Sequence, residues 1–136
     1  MKKYWLMKSE PDEFSIEALE KVGREPWTGV RNYQARIHLN AMRQGDRVYF
    51  YESVTTKAVL GIAEVTRPAA PDPTAKEPGW VSVELKAVKA LPRPVTLAEI
   101  KAEPALANLA LLRQSRLSVM PLAKAEFARI ESLARK

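Results

Sequence analysis

Arg47-Val-Tyr-Phe-Tyr-Glu-Ser53 and, four residues later, Ala58-Val-Leu-Gly-Ile-Ala-Glu-Val-Thr66 are the stretches that decide the fold. Both are dense in β-branched and aromatic residues, which suit a pleated, half-buried surface. They read as two consecutive strands, and Gly61 inside the second predicts a bulge or a close backbone approach. Upstream, residues 3–7 read as an opening strand. Downstream, Trp80-Val-Ser-Val-Glu-Leu-Lys-Ala-Val88 alternates apolar and polar residues, with Pro92 and Pro94 expected to end it. Residues 67–79 contain Pro68, Pro71, Pro73 and Pro78 and read as a long surface loop. Arg116-Leu-Ser-Val-Met120 is a last strand, stopped by Pro121.

Helices are expected around these strands. Ser9 and Asp12 resemble a capped turn. Ser15 is an N-cap for a helix over 16–22, with Phe14 and Leu19 as a hydrophobic staple and Gly23 as its stop. Residues 24–31 read as a loop carrying Trp27. Asn32 caps a helix to about Met42, on which Tyr33, Ile37 and Ala41 share a face. Thr96 and Glu99 form a capping box. Leu106, Leu109 and Leu112 suggest a short helical piece, and Phe127, Ile130 and Leu133 a closing helix over 122–134. This is not a βαβ rhythm. An α+β fold is expected, with a strongly curved mixed sheet or small barrel and flanking helices, forming one domain over 1–136.

Composition limits the chemistry. Among 136 residues, 46% are hydrophobic and 28% charged, ordinary values for a globular protein. No apolar run reaches the ~18 residues of a membrane span, so no membrane partner is expected. The N-terminal stretch lacks an apolar signal region, so a cytoplasmic location is expected. Cysteine is absent, which excludes disulfides, thiol catalysis and cysteine-ligated metals. The single histidine, His38, cannot build a histidine metal site, and its place between Ile37 and Leu39 reads as an ordinary helix histidine. No GxGxxG, P-loop or GxSxG motif occurs. No cofactor is expected. Lys and Arg total 22 against 16 Asp and Glu, a net charge of +6 that suits a polyanion.

What remains are aromatics interleaved with amides, hydroxyls and arginines. Trp27-Thr-Gly-Val-Arg-Asn-Tyr-Gln-Ala-Arg36 is one such stretch, and Leu112-Arg-Gln-Ser-Arg-Leu-Ser118 repeats the theme. A splayed-out base offers a flat π-face for aromatics and an edge for hydroxyls and amides, while arginines hold phosphates. Two other readings compete. Glu10, Asp12 or Glu52 could serve an enzyme as acid, base or metal ligand. The proline stretch 68–78 with Leu111-Leu112 could serve a protein–protein adaptor, whose partner the sequence does not name.

Tyr4-Trp-Leu-Met-Lys-Ser-Glu-Pro11, Trp27 to Arg36, Gly61-Ile-Ala-Glu-Val65 and Ser115-Arg-Leu-Ser-Val-Met-Pro121, in that order, resemble the EVE domain family. The resemblance implies a PUA-like fold, no catalytic activity, and binding of DNA or RNA that carries a modified base, such as a methylated cytosine. It places Ser9 at the first strand's end, Trp27 as a cage wall, and Arg31, Asn32 and Tyr33 at the mouth of the second helix. Tyr51 and Ser53 come from the third motif, and Arg113, Ser115, Arg116 and Ser118 from the last. Many relatives carry a histidine where this chain has Glu52. A carboxylate there is expected to repel phosphate and alter base preference.

Overall fold

β1 (Tyr4–Ser9) and β3 (Arg47–Glu52) lie side by side and parallel, with Leu6 opposite Tyr49 and Met7 opposite Phe50. A computed structural model describes residues 3–9, 19, 21, 23–54, 56–114 and 116–135. The other elements are β2 (Arg24–Trp27), α1 (Tyr33–Ala41), β4 (Ala58–Pro71), β5 (Val81–Thr96) and α2 (Leu97–Ala102). A 3-10 turn (Pro104–Leu106), α3 (Ala110–Arg113), β6 (Val119–Leu122) and α4 (Lys124–Ala134) follow. The expected helix over 16–22, its staple and the Ser9–Asp12 turn fall mostly outside the described residues. Of that stretch Leu19 is buried, and Gly23, at φ +88°, donates its N–H to the Leu19 carbonyl, a left-handed helix stop.

The six strands form one mixed sheet in the order β2-β5-β4-β3-β1-β6. Only β1–β3 is parallel; the other pairs are antiparallel. The expected α+β fold with a strongly curved sheet is what forms. β2 and β6 are open edges, yet Trp27 of β2 reaches Phe50 of β3 across two intervening strands, with ring centroids 5.5 Å apart. α1 likewise packs against β4, β5 and β6, elements from both halves of the sheet. Curvature brings them together, and register shifts provide it. β4 advances from Val59 to Gly61 while β5 spans Val95 to Ala90.

That shift corrects a sequence expectation. Pro92 and Pro94 do not end β5, because they lie where its regular pairing with β4 is interrupted and no ladder N–H is needed. Pro68 sits in a similar irregularity between Arg67 and Ala70, so β4 runs into the expected loop as far as Pro71. Pro121 and Pro26 are within β6 and β2, the edge strands, where proline is tolerated. Residues 24–27 are therefore strand, not loop.

The core fills the curve. Tyr49 stacks on Phe127 of α4 at 4.1 Å and donates its hydroxyl to the Phe127 carbonyl at 2.8 Å. Trp5 is buried, its Nε1 donating to Asp46 at 2.9 Å. α1 turns its Ala35 and Leu39 inward, with Met42 following one turn on. The expected stripe of Tyr33, Ile37 and Ala41 faces solvent instead. The 3.6-residue period offered two apolar stripes, and the one led by small Ala35 lets the helix approach the sheet. The Thr96–Glu99 capping box forms as expected and starts α2.

Candidate nucleic-acid interface

The parallel β1–β3 register carries two distant serines together. Ser53 donates its N–H to the Ser9 carbonyl at 2.9 Å and its hydroxyl to the same oxygen at 3.2 Å. The ladder on the other side of β1 continues as Lys8 N–H to the Ser118 carbonyl, 2.8 Å. Tyr51 stands opposite Lys8 at the end of β3. Trp27 ends β2, paired with Val83 and packed edge-on against Phe50.

These strand ends border a cavity of about 560 Å³, within the ~300–1,000 Å³ usual for ligand sites. Its aromatic walls are Trp27 and Tyr51, and its hydroxyls are Ser9, Ser53, Ser118 and Thr28. Val30, Val54, Leu97 and Leu111 add apolar surface. Four cations, Lys8, Arg31, Lys57 and Arg116, line it too, and no carboxylate does among the described residues. Burial lowers the pKa of Lys8. Burial, then the nearby Glu52 charge, raises that of Tyr51, so its phenol stays protonated at neutral pH.

One wall is anchored by Asp72. Its buried carboxylate accepts from Gly29 N–H (2.9 Å), Arg31 (2.9 Å), Thr74 N–H (2.8 Å) and the Thr74 hydroxyl (2.7 Å). Burial raises its pKa, but these hydrogen bonds outweigh that and hold it well below the usual carboxylate range. Gly29 has φ +87°, a conformation that favours glycine. The opposite loop depends on Glu52. Its carboxylate accepts from Val54 N–H (2.7 Å), Thr56 N–H (3.1 Å) and the Thr56 hydroxyl (3.1 Å). Glu52 is not among the cavity's lining residues, but its charge reaches the Tyr51 wall, and its hydrogen bonds hold Val54 and Thr56 beside it. Lys57 in that loop has φ +49°, a strained setting for a side chain.

The structure thus gathers Ser9, Trp27, Arg31, Tyr51, Ser53, Arg116 and Ser118 around one cavity. Asn32, Tyr33 and Arg113 are not among its lining residues. Asn32 is the α1 N-cap, accepting from Ala35 N–H at 2.9 Å. Tyr33 packs on Trp80. Arg113 is exposed and donates to Asn108 at 3.0 Å. Ser115 lies outside the described residues. Sequence reasoning missed Lys8, Lys57, Asp72 and the apolar lining. Only Asp72 carried a local sign: Asp followed two residues later by Thr marks an Asx-turn. His38 lies on α1 with its ring 6.0 Å from Trp5, away from the cavity, and burial lowers its pKa. Among the described residues, no group of three His, Asp or Glu is arranged to hold a metal.

The chain is similar to several known proteins. Thymocyte nuclear protein 1 of Homo sapiens is 35% identical over 167 aligned positions, covering 98% of this chain and 74% of that protein. The NMR structure of a Rhodopseudomonas palustris protein is 47% identical with a TM-score of 0.92, covering 98% of this chain and 93% of that one. The crystal structure of human THYN1 in complex with 5-methylcytosine-containing DNA is 35% identical with a TM-score of 0.90, covering 98% of each chain. The EVE domain model matches residues 3–133. This chain belongs to the EVE domain family.

Proposed function

We propose that this protein, as a single domain, binds DNA and reads a modified base, with a 5-methylated cytosine as the first candidate, and that it catalyses no reaction. The observation that carries this reading is the lining of the cavity: two aromatic walls, four hydroxyls and four cations, without a described carboxylate. A base reaching it must leave its stack. Trp27 and Tyr51, 9% and 3% exposed, present only small ring patches to it, so their contribution stays below the ~1–3 kcal/mol of an open stacking face. Ser9, Ser53 and Ser118 are the edge readers, and Arg31, Lys57 and Arg116 hold the flanking phosphates. The DNA bound by human THYN1 supports the choice of DNA and of cytosine.

A buried methyl group is worth about 0.8 kcal/mol, so burial alone gives about a fourfold preference for 5-methylcytosine over cytosine. The test is titration with matched oligonucleotides carrying cytosine, 5-methylcytosine or N6-methyladenine, with an RNA set alongside. Preference for methylated DNA that is lost in Trp27→Leu, which keeps an apolar group against Phe50 but removes the stacking face, supports the reading. Equal affinity for every base overturns it.

A further inference from the structure

Outside the cavity, Trp80 at the β4–β5 turn and Tyr33 at the start of α1 stand as an aromatic pair, rings 5.1 Å apart and 35° between planes. Tyr33 is 69% exposed. The Arg36 guanidinium carbon lies 5.0 Å from each ring centroid, and its Nη1 donates to the Gly79 carbonyl at 3.2 Å. Cation–π contact of this kind fixes a ring's orientation. Beside Trp80 opens a second depression of about 420 Å³, bordered also by Arg31, Thr74, Lys76 and Glu77.

Arg31 lines both depressions. Its guanidinium lies 5.8 Å from the Trp80 ring and is fixed by Asp72 and Thr74 at 2.9 and 3.1 Å. Arg31, tethered to Asp72 and Thr74, thus borders both the Trp27 depression and the Trp80 depression.

We propose that Trp80, braced by Tyr33 and Arg36, is a stacking platform for the nucleotide next to the one in the cavity, with Arg31 standing between the two. The occupant is one nucleotide of the same DNA strand: its base takes the part of the Trp80 ring that borders the depression, beside the Arg31 guanidinium, and Arg31 and Lys76 supply charge for the phosphates on either side. Glu77 on the rim disfavours a phosphate directly over it and leaves that side to the base. This inference rests on the base-reading function proposed above and assigns it a second contact.

The test uses single-stranded heptamers with one central 5-methylcytosine, in which the 5′ or the 3′ neighbour is either a normal nucleotide or an abasic site. An abasic neighbour keeps the phosphates and removes the stacking base. The wild type is expected to bind about fivefold or more weakly when one particular neighbour is abasic. Trp80→Ala should bind both heptamers equally, and Trp80→Phe should restore the difference. A wild type indifferent to abasic neighbours on both sides overturns the platform, whether or not any variant folds. So does a Trp80→Ala protein that keeps the full difference. If the flank dependence holds but cytosine binds as well as 5-methylcytosine, the platform stands and the base-reading function falls. If the methyl preference holds without flank dependence, the reverse is true.

Discussion

Arg31 and Asp72, forty-one positions apart, meet at 2.9 Å, and the Asp72 side chain is wholly buried while that of Arg31 is 37% exposed. The pair joins the loop after β2 to the end of β4. Through the same carboxylate, Gly29 is tied to Thr74. The Trp27 side of the cavity is thus held to the hairpin by one acid.

Replacing that acid separates charge from shape. Asp72→Asn keeps one acceptor oxygen but must leave some of its four donors unpaired, which should cost about 1–3 kcal/mol of stability. Arg31 is exposed enough to rehydrate, so the loss should stay below that of a fully buried pair. Urea unfolding measures the stability change. A parallel titration with methylated DNA should show weaker binding because the Gly29–Arg31 wall loosens.

Glu52→Gln tests the sign of the Glu52 effect. Had its charge repelled DNA, the amide would bind more tightly. Its carboxylate instead holds Val54 and Thr56, and an amide cannot accept with both end atoms. Affinity should fall a few-fold, with about 1–2 kcal/mol lost in stability. Tighter binding by this variant refutes the loop-holding role.

Lys57 and Arg116 line the cavity, and neither forms an ion pair with a carboxylate among the described residues. Each is therefore available for a phosphate. Arg116→Gln should make the slope of log affinity against log salt shallower by about 1, equally for methylated and unmethylated DNA. A change in methyl preference without a change in slope would move Arg116 from phosphate holding to base reading.

Acid should unfold the protein through carboxylates that the fold keeps ionised. Hydrogen bonding from Arg93, then from Thr96, lowers the Glu99 pKa to about 2, and the Asp72 carboxyl is depressed as well. A depressed folded-state pKa gives stability that is present above the ordinary carboxylate pKa of about 4 and lost as pH falls toward the folded value. The urea midpoint should be level above pH 5 and fall between about pH 4 and 2. Glu99→Gln should start lower at neutral pH and fall less steeply.

The strands and helices were legible wherever a period or a cap is written locally. The β-rich runs around Tyr49 and Ile62, the Thr96–Glu99 box and the Asn32 cap needed no tertiary information. The extents of β4 and β5 were not legible, because prolines stop a strand only where its N–H must pair, and register shifts remove that need at Pro68, Pro92 and Pro94. Trp27 read as a loop residue because Pro26 precedes it, and only an edge position makes that proline harmless. In the candidate site, the serines, the aromatics and two arginines came from motifs. Lys57, Leu97 and Leu111 reach the cavity only by folding of distant segments. Tyr33 showed the right chemistry, but helical phase turned it to another face.

The pairing of Ser9 with Ser53, forty-four positions apart, also sets when the cavity can exist. A parallel pair cannot close through a tight turn, and a long intervening loop must lose its entropy before the contact forms. The β4–β5 hairpin joins neighbouring segments and can form early, whereas β1 has to wait for β3 to be in place. During refolding, helical and hairpin signals should return ahead of DNA affinity. A refolding molecule in which DNA affinity returns together with the hairpin signal would overturn this order, since the Trp80 surface sits on the hairpin and the cavity does not.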